Sequence, residues 1–241
     1  MAITNTSVRE TAIRVNTDRI VSAVFTRIGS LTWIDAVFDK EAIDYLSEMI
    51  KTSSKNPVNL NDELAGNITR SEKLVDEGNW FYVNVLKEHV EAMYYSDWDN
   101  YYEAHISRFH GPPKFELDEL WVNYQKQYEF NPVHRHNASY SFVIFMNIPY
   151  HWEEQQKRFR SNSTFAGSLQ FLWSETDSTN VETFVHYLCQ GDRGRMLFFP
   201  SHLNHQVYPF YGTEEERITI SGNISRVGSG DIIDFGKKKK D

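Results

Sequence analysis

The chain has 241 residues, a formal net charge of −8 and a sequence pI near 5.6. This acidic balance argues against a general binder of nucleic acid or membrane surfaces, and the single cysteine, Cys189, excludes an internal disulfide. No apolar run approaches the roughly 18–20 residues that a membrane-spanning helix needs, and no signal-peptide pattern opens the chain. The length suits one structural domain, which we expect in the cytoplasm.

The first 115 residues are predicted to form strands and helices that support a larger β-core. Polar and β-branched residues are mixed before residue 30, which favours one or two strands that pair with the main sheet or cover it. Apolar residues then recur at helical spacing in Phe38–Ile50 and again from about Leu74 to Tyr95. We expect both helices to pack on the outside of a sheet, within an N-terminal region that spans residues 1–115.

After Gly111-Pro112-Pro113 the sequence changes to short strand-like runs separated by turn residues. The runs span residues 118–128, 133–149, 168–174, 182–189, 195–199, 205–210 and 216–225. Short strands in this number are typical of a sandwich or a barrel, so residues 116–228 are predicted to be the core. The lysine-rich end, residues 229–241, is predicted to be a flexible basic tail.

Two histidines in the segment Asn131–His136 have the spacing of a metal site. His134 and His136 are two positions apart, so on a β-strand their side chains leave the same face and both imidazoles can reach one ion. The usual facial triad has Asp or Glu where His136 stands. Glu129 or Glu153 is therefore an alternative third ligand, with His136 supporting the metal from a second layer.

A third histidine is expected from the segment that follows Pro200. The proline and the apolar residues around it predict a turn that enters a strand, which would bring His205 towards the first two histidines from a neighbouring strand. His202 competes with His205 for this distal role.

Arg217 opens an alternating strand in which Arg217, Thr219 and Ser221 share one face. A cation with two hydroxyls on one face is suited to a carboxylate at the far end of a dicarboxylate ligand. The competing interpretation is a surface arginine paired with the acidic run 214–216. Upstream, Asn123 and Gln125 alternate in the same way and are predicted to donate amide hydrogen bonds into the same cavity.

These segments together resemble the iron(II)/2-oxoglutarate-dependent dioxygenases of the type found in bacteria and marine phages, in the prolyl-hydroxylase-like branch. The resemblance extends from about Trp121 to Asn223 and rests on Asn131 to His136, Ser141 to Ile144, Phe199 to Pro209 and Arg217 to Ser221. It implies a mainly β fold, the double-stranded β-helix or jelly roll. It also implies Fe(II) held by His134 and His205, with 2-oxoglutarate and O2 as co-substrates and Arg217 on the C5 carboxylate. The histidine at position 136 departs from the pattern of the wider superfamily.

The resemblance implies hydroxylation of a C–H bond, with release of succinate and CO2 and no catalytic residue beyond the metal centre. The expected partner is a peptide, in the first place a prolyl or other peptidyl side chain, or a small molecule. The acidic charge disfavours nucleic acid. Two alternatives stay open: a cofactor-independent, cupin-like iron dioxygenase with three histidines, and a non-catalytic jelly-roll domain. A phage origin would place the protein in the host cytoplasm.

Overall fold

The computed structural model describes residues 9–12, 19–28, 31–96, 113–158, 160–174 and 180–227. The predicted basic tail lies outside these ranges. None of the helices in the described ranges is long and apolar enough to cross a membrane.

Three α-helices and twelve strands make up the described part of the chain. The helices are α1 (Lys40–Ser53), α2 (Lys87–Ser96) and α3 (Trp152–Arg158). The strands are β1 (Arg9–Ala12), β2 (Ile20–Ile28), β3 (Leu31–Phe38), β4 (Ser71–Lys73), β5 (Lys114–Gln125), β6 (Asn131–His134), β7 (Tyr140–Asn147), β8 (Leu169–Trp173), β9 (Glu182–His186), β10 (Arg195–Pro200), β11 (Asn204–Val207) and β12 (Arg217–Val227).

The strands form two antiparallel sheets. The larger sheet has the order β1-β2-β3-β10-β7-β12-β5-β4, and the smaller has the order β6-β11-β8-β9. Neighbours in the larger sheet come from distant parts of the chain, and its N-terminal strands continue the sheet through the pairing of β3 with β10. This is the mainly β, jelly-roll architecture that the sequence predicts.

Side chains along the central strands point alternately to the two faces of the larger sheet, and this divides the molecule into layers. On β12, Ile220 and Ile224 belong to a core cluster that also contains Leu46 of α1 and Val90 of α2. The next residues along the strand turn to the other face, where a second core cluster fills the space between the two sheets. The larger sheet therefore has helices on one side and the smaller sheet on the other.

The helical layer is held by local caps. Asp39 is the N-cap of α1 and its Oδ1 accepts a hydrogen bond from the backbone N–H of Ala42 at 2.8 Å. Asp76 accepts from the backbone N–H of Phe81 and of Tyr82, each at 2.9 Å, and from the hydroxyl of Tyr45 at 2.8 Å. One carboxylate thus joins α1 to the segment that leads into α2.

The structure corrects several predicted boundaries. The helix predicted from Phe38 begins at Lys40, because residues 31–38 form β3 between β2 and β10. The helical zone predicted from Leu74 starts later, since Ser71–Lys73 pair with β5 and a π-helical turn, Tyr82–Leu86, precedes α2. These strands were missed because strands buried on both faces lack the alternation that sequence analysis relies on.

The long run predicted at 133–149 is divided between the two sheets. Strand β6 ends at His134 in the smaller sheet, and β7 begins at Tyr140 in the larger sheet. The chain therefore crosses from one sheet to the other between these residues, and His136 lies in the crossing.

His186 is a buried histidine in the core between the sheets. It is 4% exposed, its Nε2 has no hydrogen-bond partner, and its ring packs on Trp33, Phe171 and Phe184. Burial lowers the pKa of His186 to about 3. The neutral imidazole is therefore the folded form.

We predict that His186→Phe reduces the loss of stability on acidification. As the pH falls below about 6.5, the unfolded chain takes up a proton at His186 that the folded chain refuses, so the free energy of unfolding falls. Between pH 7 and pH 5 the variant should lose about 2 kcal/mol less than the wild type, measured by urea unfolding. Equal losses in both proteins would contradict the assignment, and His202→Gln, at an exposed histidine, is the control.

Candidate metal centre and co-substrate cavity

Three histidines, two from adjacent strands and one from the crossing that follows β6, meet at the edge of the smaller sheet. His134 ends β6, and its register partner across the β6–β11 ladder is His205. Their ring centroids are 4.2 Å apart, and the ring of His136 is 5.1 Å from that of His134 and 5.2 Å from that of His205. One ring nitrogen from each histidine lies within 4.8 Å of the others.

Backbone carbonyls fix the tautomer of two of these rings. Nδ1 of His134 lies 2.8 Å from the carbonyl oxygen of Pro132, and Nδ1 of His205 lies 2.9 Å from that of Leu203. A carbonyl oxygen only accepts, so each Nδ1 carries the proton and Nε2 is left with a free lone pair. Metal-binding histidines in proteins are oriented in this way.

Burial keeps the imidazoles neutral. Desolvation, together with proximity to His134, lowers the pKa of His205 to about 3 and that of His136 to about 4. The pKa of His134 is also lowered by burial. Neutral imidazole is the ligand form that Fe(II) and other divalent transition metals bind, so the donor set fits such an ion.

No carboxylate joins this cluster in the described part of the chain. Glu129 instead accepts hydrogen bonds from the backbone N–H groups of Thr69 and Lys126, and Glu153 lies in the first turn of α3. His202 is exposed and outside the cluster. The geometry thus favours His136 and His205 over the alternatives that the sequence left open.

Arg217 is buried among neutral acceptors. The residue is 1% exposed, and its guanidinium donates to Gln125 Oε1, to the Tyr150 hydroxyl, and to the carbonyl oxygens of Gly167 and Tyr208. In the described ranges no carboxylate forms an ion pair with it. A buried charge without a counter-charge is costly, and an anionic ligand would offset that cost. Because Arg217 is buried and forms no ion pair with the acidic residues 214–216, the surface pairing that the sequence also allowed is not the one in the structure.

Strands β12 and β5 carry a polar ladder on the face that looks towards the smaller sheet. Arg217 is opposite Gln125, Thr219 is opposite Asn123, and Ser221 is opposite Trp121. The ring of Trp121 lies 5.8 Å from that of His136. Arg217 therefore lies at one point along this face, and His136 packs near another, at Trp121.

The two predicted amides have different environments. Gln125 accepts from Arg217 through Oε1 and donates to the Glu129 carbonyl through Nε2, so both ends of its amide are already paired. Asn123 accepts a hydrogen bond from the Ser71 hydroxyl at 2.8 Å through Oδ1, which leaves its Nδ2 as a donor. The geometry therefore suits Gln125 to positioning Arg217 and Asn123 to contacting a ligand.

One cavity connects the histidines with Arg217. It is lined by His134, His136 and His205, by the polar ladder, by apolar residues that include Phe145, Leu188 and Phe199, and by Leu64, Ala65, Gly66 and Ile68 of a loop from the N-terminal half. The loop lies close against β6: a Cβ on Gly66 would stand 2.0 Å from Oδ1 of Asn131. A larger residue at position 66 would require the Asn131 side chain to move.

Sequence analysis missed two residues that the structure places around the cavity. Tyr150 donates to the Gly167 carbonyl at 2.6 Å and accepts from Arg217, and Ser71 orients Asn123. Gly167 has φ +72, and a Cβ there would meet the Tyr150 ring at 2.8 Å. Neither Tyr150 nor Ser71 stands in a motif, because each reaches the site from a segment remote in sequence.

Part of the core matches a known family of sequences. Residues 119–223 match the sequence profile of the family described as "Putative 2OG-Fe(II) oxygenase". The matched segment contains the three histidines and Arg217. No curated protein matches the whole sequence at a significant level.

Several solved structures are similar to the chain. A Pseudomonas putida prolyl-4-hydroxylase has 15% identity over 81% of this chain and 93% of its own, with a TM-score of 0.44. A 2OG-Fe(II) oxygenase family oxidoreductase from Burkholderia pseudomallei has 11% identity over 78% and 79%, with a TM-score of 0.40. The α-ketoglutarate-dependent epimerase SnoN from nogalamycin biosynthesis has 13% identity over 80% and 78%, with a TM-score of 0.42.

We predict that His205→Ala removes most of the bound metal from the protein. The other two histidines come from one segment, so the variant loses the only imidazole that β11 supplies. Metal content after anaerobic Fe(II) loading and gel filtration is the measurement. His202→Gln is the matched control and should retain the wild-type content; full retention by His205→Ala would move the distal role to another residue.

Proposed function

We propose that this chain, a 2OG-Fe(II) oxygenase by its family match, hydroxylates a C–H bond in a peptidyl side chain, prolyl or other, and releases succinate and CO2. The observation that carries the proposal is a single cavity with three neutral imidazoles at one part and a buried arginine without a counter-charge at another. Fe(II), 2-oxoglutarate and O2 are the cofactor and co-substrates of this family.

His134, His136 and His205 would hold Fe(II) through their Nε2 atoms. When bound, the ion supplies the activation of O2 that couples oxidation of 2-oxoglutarate to hydroxylation. The three imidazoles bring no negative charge, whereas the usual triad brings one carboxylate. The site should therefore attract an anionic co-substrate more strongly than a triad with a carboxylate.

Arg217 would bind the C5 carboxylate of 2-oxoglutarate. Neutral acceptors hold its N–H groups in the ligand-free protein, and a carboxylate, which is a stronger acceptor, would displace some of them. Thr219 and the Nδ2 of Asn123 line the cavity on the way to the histidines and supply further donors. The chain thus orients a dicarboxylate along the polar ladder.

A second groove adjoins the co-substrate cavity at the histidines. This groove, about 290 Å³, is lined by His134, Arg135 and His136, by residues 118–121 of β5, by Leu60, Glu63, Leu64 and Ala65, and by Lys73. It shares two histidines and Trp121 with the co-substrate cavity. Its open shape suits a side chain that is presented from a larger molecule, which supports a peptidyl substrate.

The deciding experiment is an anaerobic titration of 2-oxoglutarate into the Fe(II)-loaded protein. A weak visible charge-transfer band, which chelation of the keto acid produces, would support the proposal. Bound iron without the band would favour the cofactor-independent enzyme, in which Arg217 would take the carboxylate of the substrate itself. Failure to bind iron would favour a non-catalytic jelly-roll domain.

We predict that Arg217→Ala weakens 2-oxoglutarate binding by at least about 2 kcal/mol, or roughly thirtyfold, because it removes one partner of a buried charge pair. Arg217→Lys keeps the charge but loses the planar fork, and should have an intermediate affinity. Iron content should not change in either variant.

The measurement is the midpoint of the charge-transfer titration. Arg160→Ala removes the same charge at an exposed position and is the control. Wild-type affinity in a folded, iron-loaded Arg217→Ala would refute the assignment.

A further inference from the structure

The polar ladder of β12 and β5 continues past the histidines into the substrate groove. Beyond the pair of Ser221 and Trp121, the next cross-strand pair on the same face is Asn223 opposite Glu119. Glu119 and Trp121 both line the groove. Glu119 therefore lies at the end of the ladder away from Arg217, on the side of the histidines where a substrate would enter.

A buried chain of hydrogen bonds holds the carboxylate of Glu119. Asn223 donates to its Oε2 at 2.6 Å, the Ser141 hydroxyl lies 2.8 Å from Asn223 Oδ1, and the Ser201 hydroxyl lies 2.7 Å from that of Ser141. Asn223, Ser141 and Ser201 are 4%, 2% and 0% exposed. Burying three polar side chains costs free energy, and their bonds fix an exposed carboxylate at a defined place.

The same chain ends at the metal site. The carbonyl of Ser201 accepts a hydrogen bond from the backbone N–H of His136 at 2.9 Å. One network therefore positions both a histidine of the cluster and a carboxylate in the adjoining groove. The bond from Asn223 uses one oxygen of Glu119, and the exposed residue has its second oxygen for a ligand.

The charges around the groove favour a cation at this position. The acidic side chains are Glu63, Asp118 and Glu119, and the basic ones are Lys73 and Arg135. Lys73 also lines a separate cavity beside α1, and Arg135 is an exposed residue that solvent can reach. Leu60, Leu64 and Leu120 provide apolar wall between the charges. An apolar wall with a carboxylate beside the reaction centre suits an aliphatic stem with a cationic head.

We propose that Glu119 is a specificity-determining residue that binds the cationic group of the primary substrate, a peptide with a lysine-like basic side chain. This inference rests on the proposed function, because it takes the groove beside the three histidines as the substrate site. It narrows the substrate class from peptidyl side chains in general to those that carry a positive charge near the reacting carbon.

The test compares two blocked pentapeptides that differ only in charge. Ac-Gly-Ala-Lys-Ala-Gly-NH2 and its norleucine analogue have the same central carbon stem, and only the first has an ammonium group. Dissociation constants are measured anaerobically by NMR titration on the protein loaded with Fe(II) and 2-oxoglutarate. The lysine peptide should bind about twofold to fivefold more tightly, the range of a partly exposed ion pair.

Variants of Glu119 test whether the preference for the lysine peptide depends on this carboxylate. Glu119→Gln should remove the preference for lysine, and Glu119→Lys should reverse it. Glu116→Lys changes the net charge equally at an exposed position of β5 outside the groove, and should keep the wild-type preference. Loss of the preference in Glu116→Lys as well would reduce the effect to overall charge and overturn the proposal.

The charge-transfer band and the peptide titration test the proposed function and the role of Glu119 separately. A charge-transfer band that survives in wild type and Glu119→Gln, together with equal or undetectable binding of both peptides, would overturn the role of Glu119 alone. A missing band in the wild type would overturn the proposed function instead.

Discussion

The arrangement of this molecule depends on the pairing of β12 with both β5 and β7. The strand has isoleucines on the helical side, and Arg217, Thr219, Ser221 and Asn223 on the side of the smaller sheet. Because alternate residues of a strand leave opposite faces, one register fixes the core and the polar ladder together. A slip by one residue would bury the polar residues against the helices and remove the cavity.

The smaller sheet provides the other half of the site through its own register. His205 is opposite His134 across the β6–β11 ladder, with a shift in register between His205 and Val207. The backbone carbonyls that orient the two rings come from Leu203 and Pro132, each two residues before its histidine. Local chain geometry therefore sets the tautomers, while strand pairing sets the separation of the rings.

The part of the site that sequence predicts is the part set by local periodicity. Alternation along a strand is enough to put Arg217 and Thr219 on one face. The spacing of two residues predicts that His134 and His136 reach one ion, and they do lie together, but His136 stands beyond the end of β6 and not on the strand face that the prediction assumed. The contacts of Tyr150 and Ser71 are different, since they depend on which distant strands become neighbours. The loop at Gly66 is likewise absent from any motif, because its role comes from its approach to Asn131.

The two ends of the polar ladder carry opposite charges, Arg217 at one end and Glu119 at the other. Three neutral imidazoles leave the full 2+ charge of Fe(II) to be balanced by ligands, and a dicarboxylate co-substrate would supply negative charge both there and at Arg217. Arg217 is the buried positive charge at the co-substrate end. Glu119 is a fixed negative charge at the other end, beside His136 and near solvent. A substrate that brings its own cation to Glu119 adds no unpaired charge to the groove, whereas an acidic substrate would place a second negative charge against the carboxylate.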